Sequence, residues 1–282
     1  MKLGVQTTGW CSTWSNEQLH VIDTIKGYEF DFVEFSLTRL DLFDVKAVKN
    51  RLNDAQLEAC TSTLLLLDSQ DITNPDLSIR QQGVQYLKQC VKATADIGAH
   101  QLSGVLHSRL GKKIAGRPTE TDWHYASECL REVAQFARDY GVQLGLEPIN
   151  RYESYLVNTC RQALDLIDLI NEPNIGVHLD TYHMNMEEKQ MDASIMLAGN
   201  KLVHLHLNEN DWGVAGTGHI QWDDIFKALS ELDFTGYASI ESVVHLQGDP
   251  VWRQLAEDGP TLVTEGVQFL RRLRDKYKLS RV

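Results

Sequence analysis

Eight short apolar or β-branched runs recur along this chain, each followed by a longer segment of helical character. They are KLGVQT (2–7), FVEFSL (32–37), ACTSTLLL (59–66), HQLSGVL (100–106), QLGLEPI (143–149), IGVHLDT (175–181), LVHLHLN (202–208) and YASIESV (237–243). Between them, segments such as 83–98 and 123–141 space apolar residues three and four apart, which builds one helix face. Ser15 with Gln18, Ser78 with Gln81, and Thr159 with Gln162 fit the reciprocal capping box at helix starts. Gly98 and Gly141 close their periodic segments, where a left-handed residue ends the last turn. Eight strand–helix units in this length predict an α/β fold, a (β/α)8 TIM barrel. A doubly wound open sheet is the structural alternative, but it usually has fewer strands at this length. With no linker and no composition break, residues 1–282 are expected to form a single domain.

Composition sets the boundaries. The chain has 282 residues, 43% hydrophobic and 23% charged, enough for a large core. Its net charge of −12 and lack of a Lys/Arg cluster disfavour nucleic acid as a partner and favour a small molecule. Five scattered cysteines with no C-x-x-C pair argue against a disulfide framework. The start lacks the apolar core of a signal peptide, and no run is long enough to span a bilayer. A cytoplasmic protein with no membrane partner is expected.

In such a barrel the C-terminal strand ends share one mouth, where active sites sit. Strand five ends in Glu147, and strand six in Asp180, with His183 three residues on. Strand seven carries His204 and His206 on one face, because side chains alternate with period two. Strand eight ends in Glu241. Taken singly, each has a bland reading: a strand-end glutamate is commonly a cap, and His178 or His204 a hydrogen-bonded core residue. Together, three carboxylates and an imidazole would repel one another without a cation. One divalent metal ion removes that problem, and Mn2+, Mg2+ or Co2+ suits three oxygens and a nitrogen, whereas zinc more often draws further nitrogen or sulfur.

The segments LEPINRYE, HLDTYHMN, HLHLNEND followed by GTGHIQW, and SIES resemble the D-tagatose 3-epimerase/D-psicose (allulose) 3-epimerase family of xylose isomerase-like barrels. Residues 72–99 resemble that family's third helix and its lead-in, so the likeness spans nearly the whole chain. The resemblance implies that Glu147, Asp180, His206 and Glu241 bind the metal, and that Glu147 and Glu241 are the acid/base pair. It implies substrate contacts from His183 and Glu153, or an orienting role toward Glu147, and a wall near the sugar from Trp14, with Trp10 beside it. A homodimer or homotetramer is also implied. The family commonly has an arginine contacting sugar oxygens where this chain has Trp212, so a single indole donor replaces several. Gln6 stands where the hexose epimerases have an aromatic residue. Both departures point to a less polar or differently shaped substrate end.

The expected reaction is C3 epimerisation of a non-phosphorylated ketose. A proton next to a carbonyl is lost, a planar cis-enediolate forms, and a proton arrives on the opposite face. Two carboxylates flanking that plane serve both faces, and a cation stabilises the developing charge. The same site leaves aldose–ketose isomerisation and dehydration, as in inosose dehydratases, open. An endonuclease IV-type hydrolase would need more His and carboxylate ligands and a basic face. A non-catalytic barrel would not need two bases. The glycine-rich segment 213–219 is not a nucleotide fingerprint and reads as a mobile loop over the mouth. Arg109, Lys112 and Lys113 follow strand four and read as an anion contact or a solvated loop.

Overall fold

The computed structural model describes residues 1–241 and 254–279. Its strands are β1 (Lys2–Gln6), β2 (Phe32–Ser36), β3 (Glu58–Leu64), β4 (Gln101–Val105), β5 (Gln143–Leu146), β6 (Ile175–Asp180), β7 (Leu202–His206) and β8 (Tyr237–Ile240). All pair in parallel and close in the order β1 to β8, so the expected barrel is the one observed. Every strand stops one to three residues before its apolar run does. Positions 242 and 243 of the eighth run lie outside the described residues.

The helices among the described residues are α1 (His20–Gly27), α2 (Val45–Ala55), α3 (Leu77–Asp96), α4 (Glu120–Asp139), α5 (Cys160–Ile170), α6 (Thr181–Glu187), α7 (Met191–Ala198), α8 (Trp222–Glu231) and α9 (Gly259–Lys276). Their inner faces follow the helical period. In α4, Ala126, Leu130, Val133, Ala134 and Ala137 are buried against the barrel. The box at Thr159 and Gln162 forms as expected, and so does the one at Ser15 and Gln18, where it opens a short 3-10 turn ahead of α1. Ser78 does not cap. Asp76 accepts from the Ser78 amide at 2.8 Å, so α3 starts sooner and Ser78 lies inside it. Gly98 and Gly141 have φ of +88° and +65°, as helix-closing residues require.

A strand glycine shapes the mouth. Gly104 on β4 has φ of +114°, and a Cβ there would sit 2.4 Å from the Thr63 carbonyl oxygen. This conformation lets the Gly104 carbonyl accept from both the Leu106 amide (2.9 Å) and the Glu147 amide (3.1 Å). The end of β5 is thereby pinned where Glu147 leaves the sheet. The barrel interior is polar on this side: Gln6, Glu34, Ser62, Gln101, Ser103, His178, His204 and Ser239 are all buried. None of the described helices is long and apolar enough to cross a membrane.

Candidate active site and metal centre

Four strand ends deliver Glu147, Asp180, His206 and Glu241 to one point. Asp180 and His206 are the last residues of β6 and β7 and face each other in register. Glu147 and Glu241 are the first residues beyond β5 and β8. The Nδ1 of His206 lies 3.4 Å from Glu241, 3.7 Å from Glu147 and 3.9 Å from Asp180. These gaps are too long for good hydrogen bonds. That Nδ1 is buried and has no hydrogen-bond partner. Ligand atoms of Glu147, Asp180 and His206 all lie within 4.8 Å of one another. A buried imidazole nitrogen ringed by carboxylate oxygens, with no hydrogen-bond partner of its own, is what a hard divalent cation fits once its proton is lost.

The electrostatics say the same. Burial pushes the Glu147 carboxyl well above the usual carboxylate range, and Asp180 and Glu241 add to that against the pull of His206. Burial lifts Asp180 to about 7. Burial would lower His206, but the Glu34 and Glu241 carboxylates hold it well above the ordinary histidine value. Glu241 sits low: burial opposes this, and the His206 charge outweighs it. Without a cation, this cluster lowers its own repulsion by taking up protons.

The chain matches the family described as "Xylose isomerase-like TIM barrel" over residues 22–273. It belongs to that family. A ketose 3-epimerase of Arthrobacter globiformis is 33% identical over 279 residues, covering 96% of each chain. An L-ribulose 3-epimerase of Methylomonas sp. (strain DH-1) is 32% identical and covers 86% of each. The crystal structure of a Methylomonas sp. D-allulose 3-epimerase in complex with D-allulose superposes with a TM-score of 0.91 at 30% identity, covering 96% of both chains.

Around the four residues, this xylose isomerase-like barrel places several groups that sequence reading missed. Asn208 braces the site: its amide nitrogen donates to Asp180 (3.1 Å) and Glu241 (3.4 Å), and its oxygen accepts from the Glu241 amide (3.1 Å). His107, held near 4 by burial and so neutral, lies 3.1 Å from the Glu147 carbonyl through Nε2 and fixes that backbone. Asn150 donates to His183 Nδ1 at 2.9 Å and to Glu153 at 2.6 Å. Glu153 therefore orients His183 through Asn150. The accepting Nδ1 leaves the His183 Nε2–H directed at the site, 3.8 Å from Asp180. Burial holds His183 near 4, so it stays neutral. Only His107, Asn150 and Asn208 lacked a sequence signal; Glu34, a lone acid inside an apolar strand, had one.

Other expectations are corrected. The segment 213–219 is anchored. Glu209 is fully buried and accepts from the amides of Gly216 (2.8 Å) and Ile220 (3.0 Å) and from the Trp222 indole (2.9 Å). Lys112 is no free anion contact, because it pairs with Asp71 at 2.7 Å and bonds Thr73. Arg109 pairs with Asp68 at 3.0 Å. His204 is the hydrogen-bonded core residue expected, between Gln101 (2.8 Å) and Ser239 (2.9 Å). His178 is not hydrogen-bonded; its Nδ1 stands 3.5 Å from Glu147. Trp14 packs edge-on against Phe35 at 4.8 Å, and Trp10 stacks on Tyr28. Gln6 is turned inward, donating to Glu34 and Ser62 at 3.2 Å each. Trp212 stacks on Tyr182 at 3.9 Å and 14°, with His183 edge-on at 6.3 Å.

Proposed function

We propose that this chain is a divalent-metal-dependent ketose 3-epimerase acting on a non-phosphorylated ketose. The observation that carries this is the unpartnered, buried His206 Nδ1 facing three carboxylates, in a barrel whose relatives are named 3-epimerases. Those names favour epimerisation over dehydration. Glu147, Asp180, His206 and Glu241 would hold the ion, and three oxygens with one nitrogen suit Mn2+, Mg2+ or Co2+. When bound, the ion supplies positive charge where the enediolate oxygens become negative.

The protein's own groups handle the protons. Glu147 and Glu241 arrive from β5 and β8, three strands apart around the closed barrel, and would flank the substrate plane. One removes the C3 proton and the other delivers a proton to the opposite face; substrate configuration decides which. His107 and the Gly104 carbonyl fix the Glu147 backbone, and Asn208 fixes Glu241, so neither carboxylate needs to reorganise. The Nε2–H of His183, aligned through Asn150 and Glu153, donates to a substrate oxygen. Trp212 and Tyr182 form a flat aromatic wall, which suits a ketose whose distal end carries fewer hydroxyls than a guanidinium would engage. Trp14, packed edge-on against Phe35, is assigned to the wall near the sugar on the family resemblance alone. The enzyme is read as one domain over 1–282. All five cysteines are free, which suits a cytoplasmic compartment, and a homodimer or homotetramer follows the family resemblance.

The test is a ketose panel incubated with Mn2+-loaded protein in D2O. Deuterium at C3 together with the C3 epimer is the expected outcome. A dehydrated product, or no exchange with any ketose, would overturn the assignment.

A further inference from the structure

We propose that Glu34 is a positioning residue that decides which nitrogen of His206 faces the metal. This rests on the metal-centre reading above. Glu34 is fully buried in β2, on the opposite side of the His206 ring from the three carboxylates. Its two oxygens lie 3.1 and 3.2 Å from His206 Nε2. Everything else that reaches this carboxylate is a donor. Thr8 donates to the Gln6 oxygen at 2.7 Å, which turns the Gln6 amide nitrogen onto Glu34. Gln101 donates to His204 Nδ1, so the His204 proton sits on Nε2 and is shared between Ser239 (2.9 Å) and Glu34 itself (3.1 Å). The Ser239 hydroxyl then donates to Glu34.

The whole chain of bonds runs one way and ends on Glu34 as a pure acceptor. Nε2 of His206 must therefore carry a hydrogen, and in the neutral ring that binds a metal the lone pair is on Nδ1, the atom ringed by Glu147, Asp180 and Glu241. The ring orientation is set by the same contact. A glutamine at 34 would place an amide NH2 among donors, so it disrupts the arrangement with little change of volume.

Two experiments test this. In the first, Mn2+ affinity is measured by calorimetry for the unmutated protein, Glu34→Gln and Ser239→Ala, with circular dichroism as the fold check. Glu34→Gln should weaken Mn2+ by roughly 10–100-fold, the range for losing the partner of a metal-bound histidine. Ser239→Ala, which keeps the carboxylate–imidazole contact, should weaken it far less. Wild-type affinity in Glu34→Gln, or equal losses in both variants, would overturn the proposal and leave the epimerase reading standing. Absence of Mn2+ binding to the unmutated protein would overturn both. The second experiment needs no variant and decides the matter if Glu34→Gln does not fold. In Mg2+-loaded, 15N-histidine-labelled protein, a slowly exchanging proton on His206 Nε2, close to the Glu34 methylenes, is expected. A His206 whose proton sits on Nδ1 would refute it.

Discussion

Loading the site with metal should expel protons, and the number can be worked from the structure. At pH 7 the His206 imidazole is charged, because its value lies well above the ordinary 6.5. Burial and the neighbouring carboxylates favour the protonated form of Glu147. Asp180, at about 7, is half protonated. A cation needs the Nδ1 lone pair and ionised carboxylates, so binding at pH 7 should release more than one proton from the cluster as a whole. The assay is isothermal titration of metal-free protein with Mn2+ in buffers of different ionisation enthalpy. The slope of observed enthalpy against buffer enthalpy gives the proton count. The same linkage predicts that affinity falls by more than about tenfold from pH 7 to pH 6. A slope near zero, or affinity flat over that interval, would show that the four groups do not share one cation and that the cluster's protons belong elsewhere.

The remaining predictions probe separate parts of the argument. In the metal-free protein, Asp180, Glu147 and His206 all bind protons more tightly folded than unfolded. Their stabilisation is full below the unfolded values and is lost as pH rises through the folded ones. Buried neutral His107, His178, His183 and His204 have the opposite sign and add stability as pH rises to about 6.5, so the melting temperature without metal should fall only from about pH 7 to 8, and Mn2+ should abolish that fall; a metal-free melting temperature that rises from about pH 7 to 8 would contradict it. Glu241→Gln should cut epimerase turnover by roughly 10²–10⁴-fold with the circular dichroism spectrum unchanged; surviving turnover would remove Glu241 from the acid/base pair. Gly104→Ala should destabilise by at least about 1–3 kcal/mol from backbone strain alone, with added cost from the 2.4 Å approach to Thr63, read as a lowered urea midpoint. Trp212→Arg should raise kcat/KM for fully hydroxylated ketoses relative to deoxy or shorter ones; an unchanged ratio would mean that the aromatic wall does not touch the sugar.

The barrel was legible because it is written in periodicity. Eight apolar runs and the helical spacing between them leave few topologies, and the four strand-end ligands follow from asking what stands at the mouth. What the sequence hid is whatever depends on register around the closed sheet. Asn208, Asn150 and His107 lie in loops, where no period says which way a side chain turns. Each is drawn in by a partner 33 to 40 residues away. Gln6 read as a lost aromatic, but in the structure its amide is spent on Glu34, 28 residues distant. The segment 213–219 reads as a mobile loop from its glycines, yet the buried Glu209 accepts from the amides of Gly216 and of Ile220 just beyond it, and Asn210 accepts from the His219 amide. Ser78 read as a cap only because Asp76, two residues earlier, was not weighed against it. The common cause is the polar interior. A barrel filled with branched apolar side chains would need only volume to specify it, and alternation conveys volume. A barrel whose upper interior is a one-way chain of donors ending on Glu34 needs each partner's orientation. Orientation is set by closure of the sheet, which brings β2 against β7 and β8 across 172 and 205 residues of sequence. The proposed metal ligands are thus readable one strand at a time, while the groups that aim them become readable only when all eight strands are in place.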